Sequence, residues 1–220
     1  MSDATMIPAH PGEVTRERIL RLADELFARH GYARVSMRAV AGAAGVTKPA
    51  LYYYFRDKDA LYEECMLVMQ QRQASALRDA AEGAGSLGER LTAVAHALLT
   101  ASAHHPIRVM SDITEHLPPD SRERLRQGFA DSVVGPLAAF FTSAQERGEV
   151  RDAVTPELAA ATLLGVCMSF LPAAADDPEA LQVPRVQIDG PGSLDPDRAA
   201  GIVTDLVLRG VAGSPATSAR

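Results

Sequence analysis

Tryptophan is absent, cysteine and lysine each occur twice, and aromatic residues make up 5% of the 220-residue chain. Each scarcity excludes something. Cys65 and Cys167 stand too far apart for a metal-ligand pair and are too few for a disulfide framework, which fits a reducing, cytoplasmic setting. No apolar run approaches the roughly 18 residues that a membrane span needs. The first residues, Met1 to Gly12, lack the basic start and apolar stretch of a secretory signal, and residues 1–14 read as a short floppy arm. What is plentiful is apolar side chain, 47% of the residues, enough for a real core and too much for a disordered chain. The length allows one large domain or two small ones.

Charge is unevenly spread. Residues 1–62 carry nine basic against seven acidic side chains, +2, so the net −6 leaves −8 for residues 63–220. Both lysines, Lys48 and Lys58, lie in the basic stretch. A basic head on an acidic body is what one expects when only one end meets a polyanion.

Apolar spacing is helical nearly throughout, and the fold class is all-α. Ile19, Ala23, Leu26 and Phe27 make the stripe of a helix from Thr15 to His30, stopped by Gly31. A short helix from Ser36 to Ala44, ended by Gly45, precedes another from Thr47 to Phe55. Three triplets, Val14/Thr15/Ile19, Val35/Ser36/Val40 and Val46/Thr47/Leu51, repeat one design, a hydroxyl cap flanked by an apolar staple. Asp57 caps a long helix to Ala81, and Ser86 with Glu89 forms a capping box for the next. Pro106 to Leu117 is shorter. Asp120 to Glu123 opens a long helix that Gly135-Pro136 kinks and Gly148 ends. Thr155-Pro156 and Asp195-Pro196 open two final apolar helices. The expectation is about nine helices, no strand, no internal repeat, and an unusually long connection from Pro172 to Leu194.

The two short helices around Gly45-Val46 form a helix-turn-helix, whose second helix can enter a major groove. Leu51 and Phe55, at i and i+4, point inward, whereas Lys48, Pro49, Ala50, Tyr52, Tyr53 and Tyr54 offer small and hydrogen-bonding groups outward. The competing reading makes the tyrosines core, but a helix cannot bury three successive positions on one face.

Ala23, Leu26-Phe27, Gly31-Tyr32, Ser36, Val40-Ala41, Ala44-Gly45-Val46, Leu51-Tyr52, Phe55, Lys58 and Leu61, within Ile19 to Leu61, closely resemble the N-terminal domain of tetracycline-repressor (TetR) family regulators. The resemblance implies a head at 15–62 and a ligand-binding, dimerising body at 63–220. It implies a homodimer on a palindromic double-stranded DNA operator, most simply a repressor, released by a small molecule. It also implies that Arg38 reads a guanine edge and that Thr47 caps the recognition helix and touches a phosphate. Lys48, Pro49 and Ala50 would face bases, Tyr52 and Lys58 would clamp phosphates, and Tyr53 would complete the outward set. Tyr54 departs from the histidine that many relatives carry there.

The body has no motif that fixes a ligand. Met66, Met69, Met110, Phe129, Phe140 and Met168 are adaptable or flat side chains suited to lining a pocket for an apolar or aromatic effector, and equally suited to an ordinary core. Leu158, Ala161, Leu164, Gly165 and Met168, with Ala199, Ile202, Val203, Leu206 and Val207, are the expected dimer interface. Alternatives are a helix-turn-helix regulator without an effector and a small helical enzyme. No phosphate loop, GxSxG, HExxH or paired-cysteine pattern supports the enzyme, so no cofactor is expected. His104, His105, Glu115 and His116 are poorly placed for a metal, because adjacent histidines on a helix diverge by about 100°. Cys65 and Cys167 lie in apolar stretches that favour an inert thiol.

Overall fold

The computed structural model describes residues 11–100, 104, 106–170 and 195–211; the start of the expected arm, His105 and the Pro172–Leu194 connection lie outside these residues. Ten α-helices follow in order: α1 Pro11–Arg34, α2 Met37–Ala44, α3 Lys48–Tyr54, α4 Lys58–Ala81, α5 Leu87–Thr100, α6 Pro106–His116, α7 Pro119–Phe129, α8 Gly135–Glu146, α9 Pro156–Phe170 and α10 Pro196–Val211. A π-helical turn, Ala130–Val134, joins α7 to α8. Counted as one rod, α7, the π turn and α8 leave nine helices and no strand among the described residues.

Local chemistry explains most boundaries. The Ser36, Thr47 and Asp57 side chains accept from the backbone amides of Ala39 (3.2 Å), Ala50 (3.3 Å) and Ala60 (2.8 Å). Ser86 and Glu89 close a reciprocal capping box at 2.8 and 3.3 Å. Gly31 breaks α1 with φ 74°, so the helical rod ends at His30 as its apolar stripe suggests. The Gly135-Pro136 kink takes the form of the π turn. Proline has no amide for the Ser132 carbonyl, and Gly135 reaches back five residues to Ala130 instead.

Two starts differ from expectation. The first helix begins at Pro11, which places Thr15 inside it; proline at the first helical position needs no amide partner. The seventh begins at Pro119, with Pro118 at the cap position, ahead of the expected opening at Asp120 to Glu123, and the Ser121 hydroxyl inside it donates to Glu63.

Two apolar clusters form the interior. The first holds Ile19, Ala23, Phe27, Val40, Leu51 and Phe55 of the head and continues through Leu61, Tyr62, Cys65 and Met66 of α4 to Leu117 and Leu125. The second packs Leu77 of α4 against α5, α8, α9 and α10 through Leu91, Val94, Leu137, Phe141, Leu163, Val203 and Val207. Helix α4 therefore threads both. Cys65 and Cys167 are buried, and burial raises both thiols, Cys167 to about 12, so neither is a thiolate near neutral pH.

Candidate nucleic-acid interface

Gly45 adopts the left-handed conformation (φ 63°, ψ 32°), and its amide closes the end of α2 on Ala41 and Gly42. This sets α3 across α2. Leu51 and Phe55 are buried against the head core, and the opposite side of α3 faces outward. Lys48 and Pro49 are exposed and Ala50 half-buried; Tyr52 is 42% and Tyr53 85% exposed. The Lys48 ammonium sits 5.7 Å from the Tyr52 ring centroid. Arg38 is exposed near the start of α2. Tyr54 behaves differently: it is half-buried against the head core, with its ring edge-on to Tyr53 at 5.2 Å. The chain thus gathers Arg38, Thr47, Lys48, Pro49, Ala50, Tyr52 and Tyr53 on one short, capped, outward-facing unit and turns Tyr54 partly inward. Small residues beside a lysine and an arginine permit close approach to base edges, while tyrosine hydroxyls can donate to phosphate.

Lys58 sits at the seam between head and body. Its ammonium donates to the Tyr32 carbonyl at 3.1 Å and lies 3.8 Å from that ring's centroid, and burial lowers its pKa despite Asp59 and Asp112 nearby. Tyr32 is the hub of this seam. Its hydroxyl donates to Asp59, its amide donates to Asp112 at 2.9 Å, and its ring stacks on His116 at 4.9 Å. Burial first, then Asp59, raises the Tyr32 phenol well above its ordinary value, so it stays a donor. His104 lies 2.7 Å from Asp24 of α1. Sequence reasoning singled out neither Asp112 nor Asp24. The available signal was the spacing of Arg108, Asp112 and His116, four residues apart on one face of α6. Among the described residues no cluster of metal-ligating side chains forms.

Residues 19–65 match the model of bacterial regulatory proteins of the tetR family. The Escherichia coli K12 transcriptional regulator UidR is 34% identical over 83 residues, 38% of this chain and 41% of the relative. AcrR of Shigella flexneri is 44% identical over 50 residues, 23% of each chain. The match therefore spans less than half the length of these curated relatives and centres on the head. Solved structures extend the likeness across the body: a TetR/AcrR-family regulator from Thermobifida fusca superposes with TM-score 0.61 at 27% identity, over 89% of this chain and 97% of that one. The chain thus resembles TetR-family regulators, in sequence over its head and in fold over most of its length. Salmonella enterica GusR shares the fold, with TM-score 0.67 at 24% identity over 90% of this chain and 95% of that one. These relatives are described as transcriptional regulators.

The six residues expected to line one pocket are dispersed in the body. Met66 is fully buried in the head cluster, and Met69 packs beside it. Met110, Phe129 and Met168 are surface residues, 62%, 43% and 40% exposed. Phe140 borders an open cleft, of about 710 Å³, at the far end of α4. Flexible apolar residues at helical spacing serve core and surface alike, and the sequence alone does not separate the two. The residues of the expected dimer face divide between core and surface. Ala199, Val203 and Val207 are consumed by the chain's own core, because α10 packs that stripe against α5 and α9. Leu158 and Leu206 remain 57% and 53% exposed, with Ala161, Gly165 and Met168 beside Leu158 along α9, and Leu164 and Ile202 half-buried.

Proposed function

We propose that this chain is a cytoplasmic, ligand-responsive transcriptional repressor of the TetR family that binds a palindromic DNA operator as a homodimer. The observation that carries the reading is the capped helix-turn-helix, whose inner side is spent on the head core and whose outer side presents Arg38, Lys48, Pro49, Tyr52 and Tyr53. A helix exposing a tyrosine at 85% gains nothing for stability from that placement.

Two-fold recognition needs two heads one helical turn of DNA apart, about 34–36 Å. The exposed stripe Leu158, Ala161, Gly165 and Met168 of α9, together with Leu206 of α10, supports a four-helix contact between two copies, with small residues allowing close approach. Selection on random double-stranded DNA tests the reading. The expected product is a palindrome bound by a dimer; recovery of no sequence preference, or binding by a monomer to a single half-site, overturns it. Leu206→Glu is expected to yield monomer in sedimentation and to lose palindrome binding while its helical content stays.

A further inference from the structure

The cleft at the end of the body opposite Lys58 has an unusual composition. Phe140 and Pro136 contribute apolar surface to its lining, which also holds three guanidinium groups, Arg78, Arg90 and Arg147, and two carboxylates, Glu82 and Glu149. Glu149 is already engaged, accepting from Arg90 at 2.6 Å and Arg147 at 2.9 Å. Burial works against its ionisation, but those two bonds outweigh burial and hold it below the usual carboxylate range.

Arg90 is different. It is only 8% exposed, its guanidinium carbon lies 5.7 Å from the Phe140 ring centroid, and its Nε has no hydrogen-bond partner. A buried guanidinium N–H without an acceptor is costly, and here it belongs to a side chain that lines an open cleft. We infer that this cleft binds a small aromatic monocarboxylate, its ring over Phe140 and Pro136 and its carboxylate completing the bonds of Arg90 with help from Arg78 and Arg147.

Charge decides the valence of the ligand. Three cations against two anions leave +1, which one carboxylate neutralises, whereas a phosphate dianion would leave the site negative beside two ionised glutamates. Arginine's fork suits a planar carboxylate, and a partly apolar lining suits an aromatic body.

Position links the site to the head. Arg78 is 20 residues along α4 from Lys58, roughly 30 Å at 1.5 Å per residue, so a ligand that draws Arg78 inward acts on the helix whose other end carries the head. That the ligand releases DNA rests on the regulator reading; that it binds does not.

The test uses 1-naphthoate with the full chain in the absence of DNA, followed by calorimetry. Naphthoate is expected to bind about tenfold or more tighter than 1-naphthamide and 1-naphthyl phosphate. Ser143→Trp, an exposed substitution that fills the cleft, and Arg78→Ala at its rim are each expected to weaken naphthoate about tenfold, while Thr142→Trp, on the neighbouring surface, leaves it unchanged. No naphthoate binding, equal binding of the amide, tighter binding of the phosphate, or indifference to Ser143→Trp each overturns the site. Both substitutions sit on exposed positions, so folding is retained and checked by circular dichroism. A separate arm adds selected operator DNA: failure to select any operator defeats the regulator reading and leaves the cleft standing, whereas naphthoate that binds without shifting operator affinity overturns its part in release.

Discussion

Head and body are both helical, yet they are built by opposite means. In the head, boundaries are written locally: Ser36, Thr47 and Asp57 cap three successive helices, Gly45 sets the turn, and a few large side chains such as Ile19, Phe27 and Leu51 fill the centre. In the body, long helices meet through small residues. Ala95, Ala144, Ala159, Ala160 and Ala200 are all fully buried, and the helices approach closely along them. The head is thus a rigid presenter of a few exposed side chains, while the body is a set of rods whose spacing depends on side-chain size. One helix, α4, belongs to both interiors.

That shared helix makes the largest prediction. Phe27→Ala in the head and Phe141→Ala in the body are each expected to cost about 3–5 kcal/mol, because both side chains are almost wholly buried. Urea unfolding followed by circular dichroism and tyrosine emission should show one transition for both variants, since α4 cannot unfold in one cluster and persist in the other. Two separated transitions would show that head and body are independent after all.

A smaller effect probes the α4–α7 contact where the two regions meet. Gly128 lies so close to Gln70 that a β-carbon would collide with its side-chain amide, whose nitrogen donates to the Leu125 carbonyl at 3.0 Å and whose oxygen has no partner. Gly128→Ala is expected to cost about 1–3 kcal/mol by overpacking. The same exchange at Gly42, where no atom lies within 4 Å, is expected to be neutral or stabilising by up to about 1 kcal/mol through helix propensity.

The difference in construction also explains what the sequence revealed. Caps and stops depend on neighbours within four residues, so Lys58–Ala81, the Ser86–Glu89 box and the Gly31 break were legible. The outward set on α3 was legible for the same reason, because a seven-residue helix with Leu51 inward leaves little choice for the rest. Longer-range competition was not legible. Ser121 donates to Glu63, 58 residues away, and Tyr54 turned partly inward. The Arg90 cleft draws on the end of α4, α5, α8 and the residues after it, and no spacing rule joins these segments. Alternating apolar positions on α10 could not show that Ala199, Val203 and Val207 face α5 and α9 rather than another chain.

Cap removal compares the regions at equal chemistry. Thr47→Ala in the head and Ser86→Ala in the body each remove a side-chain acceptor from a helix start, and each is expected to cost about 1 kcal/mol. If α3 is the helix that enters the groove, as proposed, only Thr47→Ala should also weaken DNA.

Acid should weaken both regions in step. Hydrogen bonds from Arg124 and Ser121 hold Glu63 below its ordinary value of 4.5, and Arg90 and Arg147 hold Glu149 below it against the effect of burial. A carboxylate with a depressed folded-state pKa contributes stability that is complete above its unfolded value and is lost as pH falls through the folded one. Stability is therefore expected to be flat at neutral pH and to fall below about 4.5. Glu63→Gln and Glu149→Gln should each flatten that acid limb in urea titrations, and their combination should flatten it additively, since the two sites share no partner.

The smallest effect separates the two lysines. Lys48 is exposed and touches only the Tyr52 ring, so Lys48→Ala is expected to leave stability within about 0.5 kcal/mol. If it neutralises one phosphate, the slope of log affinity against log salt should shallow by about one. Lys58 has the same charge and a second task, since its ammonium donates to the Tyr32 carbonyl. Lys58→Ala is therefore expected to lose about 1 kcal/mol of stability as well as phosphate affinity. Lys58→Arg keeps the charge and should restore the salt slope without restoring the fit over the Tyr32 ring. Equal stability for Lys48→Ala and Lys58→Ala would mean that the seam contact is lost in solution, and an unchanged salt slope for Lys58→Ala would confine that lysine to the seam.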